Sequence, residues 1–318
     1  MGRAKWVDIT KGILSILVII GHTVGNSFII AMIYSFHMPC FFILSGYTYK
    51  TISHEDIQSY ILRCFKKLIV PCIFLSIIQC IVNIYHGMEI KQALLYHALG
   101  LLFGDIKEIT FMNYKGCAMG ILWFMFAMFW AKVIYSFVQI FITTNRTIFI
   151  AFLSLLGYSI AKFSCVPQSI DIALVSLIYI EVGYLYKEYK HKFNQYSIVI
   201  GLLCCFMWVC YANSGFSLAF RAYVSVLALY VIPFCGSVCT FQLSEALESM
   251  RISGILSFIG KNSFYVYMIH YLELNYIYIY MMGLPRHYNM IIRVIFCVLI
   301  LYIYIFCKNG INQLIHRK

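Results

Sequence analysis

Asp8, Lys11, Ser15, His22 and Asn26 recur at intervals of three, four, seven and four residues. On a helix at about 100° per residue, with Asp8 at zero, they fall at about −60°, −20°, −40° and 0°. Thr10 and Thr23 are the polar residues of this segment that leave that stripe. A neutral imidazole exchanges protons near physiological pH, so His22 on such a face has the chemistry of a general base for a weak nucleophile such as a hydroxyl. Lys11, about 16 Å lower on the same face, offers fixed positive charge. Asp8 and Lys11, three apart, can neutralise each other or orient a phosphate or carbonyl oxygen. The alternative is a polar seam that holds helices together. A second stretch, SFHMPCFFILSG at 35–46, adds His37 and Pro39. Pro39 lacks a backbone N–H and frees the carbonyl one turn back, which a lipid-exposed helix does not tolerate. Only a short connection separates the two apolar runs that carry these stretches, 6–26 and 28–49, so they predict antiparallel neighbours with His22 and His37 facing one cavity.

The elements that must hold these residues follow from composition. The chain has 318 residues, 62% hydrophobic and 11% charged, where soluble domains approach a quarter charged. That excludes an ordinary soluble domain and predicts an all-α, polytopic integral membrane bundle. Ten apolar runs reach or approach spanning length: 6–26, 28–49, 65–86, 118–141, 147–163, 168–187, 196–212, 216–240, 254–281 and 288–307. Residues 91–104 read as an interfacial or re-entrant helix. The chain is expected to be a single membrane domain over 1–318, with no separate soluble domain. Asp8, Lys11 and His22 within the first run, and no small-residue cleavage site, argue against a removed signal peptide. Net charge is +12, but Lys and Arg gather in alternate loops, which places both termini in the cytoplasm with an even number of spans. The lipid bilayer, and not nucleic acid, accounts for that charge.

Thirteen cysteines include no C-x-x-C pair and nearly all lie in apolar runs, so they read as reduced packing residues, with no metal site expected. No Gly-rich phosphate loop, H-E-x-x-H helix or G-x-S-x-G elbow is present. Ionisable residues inside spans are costly and are functional candidates. Glu181, in YIEVG, needs a partner or water and can pair with a histidine or line an acceptor path. His270 lies deep in the ninth run. Arg63, Lys66 and Lys67 form a basic cluster on the predicted cytoplasmic side, suited either to phosphates or to fixing orientation. Trp123, in LWF, reads as an interface aromatic or a ligand contact.

The run DITKGILSILVIIGH at 8–22, then SFHMPCFFILSG at 35–46, KKLIVP at 66–71, LWF at 122–124 and SFIGKNSFYVYMIH at 257–270 resemble, in order and over nearly the whole chain, the membrane acyltransferase-3 family of bacterial O-acyltransferases. The resemblance implies ten core helices, a cytoplasmic N-terminus and a location in the bacterial inner membrane. It implies no permanently bound cofactor, acyl-CoA (usually acetyl-CoA) as donor, and a carbohydrate or lipid-linked glycan of the cell envelope or secreted material as acceptor. The family's first-helix histidine corresponds to His22. Its basic residue eleven positions earlier, often Arg, is here Lys11, which keeps the charge but not the planar fork. On this reading His22 is the base, with Asp8 beside Lys11, and Lys11, His37 or Asn26 stabilises developing negative charge. Arg63, Lys66, Lys67 and Trp123 meet the donor, and Ser15, Asn26, Glu181 and His270 lie on the acceptor side. No extracellular hydrolase-like domain of the kind some members carry is expected, so the membrane core or a separate partner must meet the acceptor. The competing class is a transporter or flippase for a lipid-linked saccharide. The gathering of polar residues in the first two runs, and the lack of a legible repeat, favour the enzyme.

Overall fold

The helices are bounded differently from the apolar runs, some cut into shorter pieces and others extended beyond them. The computed structural model describes residues 4–163, 166–277 and 285–315. It is all-α and 80% helical. Helix α1 (Lys5–Gly21) ends at His22, whose φ of −89° and ψ of 1° leave the helix. The second expected run is two helices, α2 (Ser27–Tyr34) and α3 (His37–Tyr47). Pro39 therefore does not kink an unbroken helix. It sits in the first turn of α3, where a missing N–H has no partner to lose.

Helix α4 (Ile57–Tyr85) begins well before the predicted residue 65 and carries Pro71. Helix α5 (Ile90–Phe103) stops at Gly104, whose φ of +59° supplies the left-handed C-cap. A hairpin follows, β1 (Ile109–Phe111) and β2 (Tyr114–Gly116), with Met112 and Asn113 at positive φ as its tight turn needs. Next come α6 (Trp123–Phe141), α7 (Arg146–Phe163), α8 (Ile170–Gln195) and α9 (Ser197–Tyr211). Helix α10 (Val226–Ala246) starts later than the expected 216, because Ser217 and Ala222 bridge across a turn. The expected run 254–281 is broken at Asn262 into α11 (Ser253–Lys261) and α12 (Ser263–Leu272), then a π-helical turn at Glu273–Ile277. The rest of that run lies outside the described residues. Helix α13 (Arg286–Ile315) is the last.

Among the described residues, six segments are long and apolar enough to cross a membrane: Ser27–Tyr47, Ile57–Tyr85, Gly120–Phe141, Pro167–Phe193, Ser197–Ser214 and Tyr288–Gly310. Hydropathy alone led to ten. Helix α1 has only 17 residues and buries Asp8, and the ninth run is interrupted, which separates apolar run from long apolar helix.

The chain forms two compact units. The first holds Met1–His37, Tyr196–Gly215 and Leu227–Lys318; the second holds Met38–Gln195 and Phe216–Val226. In the first unit, α1 and α11 cross with their backbones touching. A Cβ on Gly12 would lie 2.1 Å from the Leu256 carbonyl oxygen, and one on Gly260 would lie 1.7 Å from that of Asp8. Small residues at a crossing are how helices approach closely where lipid offers no hydrophobic drive. Ile19, Ile259, Val266, Cys297 and Leu301 then form a buried core between α1, α11, α12 and α13.

The second unit uses the same device, with Gly46 of α3 against the Ile180 carbonyl and Gly183 of α8 against that of Ile43. Beside them the fully buried Glu181 accepts from Tyr135 at 2.7 Å, Thr147 at 2.7 Å and Arg146 at 3.3 Å, tying α6, α7 and α8 together. Breaking the first crossing is the informative test. Gly260→Val should lower the melting temperature in detergent by an overpacking cost of about 1–3 kcal/mol. Gly254→Ala, whose Cβ meets nothing within 4 Å, should leave it unchanged or slightly raised.

Candidate active site

The end of a helix leaves carbonyls without partners and favours cations, and the end of α1 gathers both histidine and arginine. The Nδ1 of His22 lies 2.7 Å from the Val18 carbonyl oxygen. A carbonyl only accepts, so Nδ1 carries the proton and Nε2 presents a bare lone pair. The same holds for His37, whose Nδ1 lies 2.7 Å from the Ile33 carbonyl oxygen. Tyr34 stands between them, its ring stacked on His37 at 5.3 Å and 6.2 Å from that of His22. Its hydroxyl donates to the Gly21 carbonyl at 3.2 Å.

His270 enters from α12. Its ring centroid is 5.2 Å from that of His22, nearly edge to face. Its Nδ1 is 2.9 Å from Oε2 of Glu273, at the start of the π turn. Arg293 of α13 grips that carboxylate with both arms, Nε to Oε1 at 2.6 Å and Nη2 to Oε2 at 2.9 Å. Its remaining Nη1 donates to the Thr23 hydroxyl at 2.7 Å and the His22 carbonyl at 3.3 Å. His270, Glu273 and Arg293 are each 0% exposed. The Nε2 of His270 is buried with no hydrogen-bond partner among the described residues. His270, Glu273 and Cys297 offer ligand atoms within 4.8 Å of one another. The guanidinium already occupies both carboxylate oxygens, so these groups form a completed ion pair rather than an open metal site.

The structure thus brings together His22, His37 and His270. It does not bring Lys11 to His22, since eleven residues of helix separate them by about 16 Å; the fixed cation beside His22 is Arg293. Asp8 is buried where α1 crosses α11. The Ser15 hydroxyl donates to the Lys11 carbonyl of its own helix at 2.8 Å. Asn26 leaves the expected stripe because α1 ends before it. It caps α2 instead, its Oδ1 accepting from the Phe28 and Ile29 N–H groups at 2.9 and 3.2 Å. Glu181 pairs with Arg146 rather than with a histidine. Trp123 is 3% exposed at the start of α6, packed beside Phe124.

Of the basic cluster, Arg63 lines a basin of about 430 Å³ in the second unit, together with Lys50, Lys132, Tyr49 and Tyr60. Lys66 and Lys67 lie on the exposed side of α4 and do not line it. The sequence did not single out Lys50, Lys132, Glu273 or Arg293 as site residues. Glu273 three residues after His270, and Arg293 inside the apolar run 288–307, carried the available signal: ionisable side chains within spans.

A family model described as an acyltransferase domain matches residues 4–308, nearly the whole chain. No curated protein and no solved structure matches it. Polar side chains gathered at the end of an apolar helix agree with that match, and the chain belongs to the acyltransferase-3 family as a membrane acyltransferase.

Proposed function

We propose that the protein moves an acyl group, acetyl in the simplest case, from cytoplasmic acyl-CoA to a hydroxyl of a cell-envelope or secreted carbohydrate, in the bacterial inner membrane. The observation that carries this reading is the fixed tautomer of His22, whose bare Nε2 is the atom a general base needs. The acceptor oxygen attacks the thioester carbonyl, its proton passes to Nε2, and the carbon–sulfur bond breaks with release of the coenzyme A thiolate. His37 in its fixed tautomer accepts rather than donates. It therefore suits holding a second hydroxyl of the acceptor, not an oxyanion as its sequence position suggested.

Coenzyme A is rich in phosphate, and Arg63, Lys50 and Lys132 around one basin supply the matching charge. Lys66 and Lys67 add to the field that attracts the anion. A second basin in the same unit, of about 680 Å³, supports a carbohydrate acceptor. It combines the half-exposed rings of Phe111 and Phe220 with Asp105, Glu108 and Arg221, the mix of apolar faces and placed polar groups that orients a polyol.

Transfer of labelled acetyl from acetyl-CoA into membrane glycan should occur with the parent protein and fall by about 10²–10⁴-fold with His22→Ala at matched expression. Label transferred by His22→Ala at the parental rate would show that another group is the base. For the donor, Arg63→Gln with Lys50→Gln should weaken coenzyme A binding by roughly tenfold or more, one or two charge-assisted contacts. It should also flatten the salt dependence of binding. Unchanged affinity would return these residues to a topogenic role.

A further inference from the structure

We propose that His22 and His270 form a two-histidine proton relay in which His270 holds the proton during acyl transfer, with Glu273 and Arg293 as its positioning residues. The inference rests on the reading of His22 as the base.

The argument begins with the tautomer. Glu273, gripped by Arg293, only accepts, so it fixes the His270 proton on Nδ1 and leaves Nε2 bare. That Nε2 is buried and without a partner among the described residues, a state that costs about 1–3 kcal/mol for a polar atom. Such a group needs an account, and the neighbouring ring supplies one. The His22 and His270 centroids are 5.2 Å apart, a separation that one water can bridge for proton transfer. Two neutral imidazoles that both carry their protons on Nδ1 cannot hydrogen-bond to each other. One added proton lets Nε2–H of one donate, through that water, toward Nε2 of the other.

The positive charge then has two possible hosts of unequal quality. On His22, Nδ1 meets only the dipole of the Val18 carbonyl, and the Arg293 guanidinium lies against the residue's own carbonyl. On His270, Nδ1 meets a full carboxylate, the arrangement that stabilises an imidazolium in hydrolase triads. Arg293 compensates that carboxylate at rest, so the buried set carries no net charge until the proton arrives. The other titratable groups facing this corner are Tyr34 of α2, His37 of α3 and Cys297 of α13.

The steps balance. The acceptor O–H breaks as N–H forms on His22, and that N–H breaks as N–H forms on Nε2 of His270. The proton then returns through His22 to the coenzyme A thiolate, which leaves as the thiol with both imidazoles neutral. The ion pair changes neither bond nor charge. The π turn that begins at Glu273 is where α12 departs from regular winding, and such turns frequently mark functional positions.

Two measurements separate this relay from a structural role. With labelled acetyl-CoA, His270→Asn should lower turnover by about tenfold or more while the KM for acetyl-CoA and the melting temperature stay near parental values, and Glu273→Gln should lower turnover likewise with a lower melting temperature, because it leaves the Arg293 charge uncompensated. Added imidazole should restore part of the turnover of His270→Ala. Parental turnover in His270→Asn, with His22→Ala inactive, would overturn the relay and leave the base in place. Independently of any activity, ¹⁵N NMR of histidine-labelled protein, assigned by loss of signal in His270→Asn, should show His270 protonated on Nδ1. A proton on Nε2 instead would overturn the relay even if no acyl transfer were detected.

Discussion

A carboxylate and a guanidinium, each without exposure to solvent, set the terms for the first unit. Removing one partner of such a pair leaves an uncompensated buried charge and costs about 3–5 kcal/mol, so Glu273 and Arg293 must stay together. Their geometry then fixes much else. Arg293 uses one arm to hold the end of α1 at His22 and Thr23 and the rest to hold Glu273, which in turn aims His270. The interaction joins α13, the π turn and α1 at the point where three imidazoles meet. The Gly12 and Gly260 crossing does the complementary work at the other half of α1, bringing α11 to backbone contact so that α12 follows at a defined angle.

The protein also shows what a buried histidine looks like when it only packs. His97 of α5 is buried in the second unit, and both of its nitrogens are engaged, Nδ1 with the Ser76 hydroxyl at 3.3 Å and Nε2 with the Asn83 amide at 3.0 Å. Burial shifts its pKa down, which keeps it neutral at physiological pH. It has no lone pair left for chemistry. His22, His37 and His270 each spend Nδ1 on a fixed acceptor, and what distinguishes them from His97 is the Nε2 left over rather than burial.

Much of the site was legible from residue type. His22 and His37 stand out because an apolar run tolerates few ionisable groups, and His270 because it falls in a recognisable block. Their partners were not legible. Glu273 and Arg293 are 20 residues apart in sequence, one opening the π turn and the other inside α13, and no periodicity predicts that they meet. The helical projection failed at Asn26 because it assumed a helix that runs on to residue 26, five residues beyond the end of α1, and capping decides that end. It failed for Lys11 in a different way, since sharing a face is not sharing a height. Arg146, 35 residues from Glu181, is another long-range partner that spacing cannot supply. Hydropathy found the apolar runs but not the Ser35–Phe36 break, the bridge at Ser217 and Ala222 or the interruption at Asn262, which depend on hydrogen bonds of single residues.

The central claim is that His22 and His270 act as one unit, and a double-mutant cycle on acetyl transfer from acetyl-CoA addresses it directly. If they share one proton path, removing the second imidazole after the first has little left to remove. The account predicts that His22→Ala with His270→Ala turns over about as slowly as the slower single variant. Losses that multiply, each substitution exacting its full factor in the presence of the other, would contradict it.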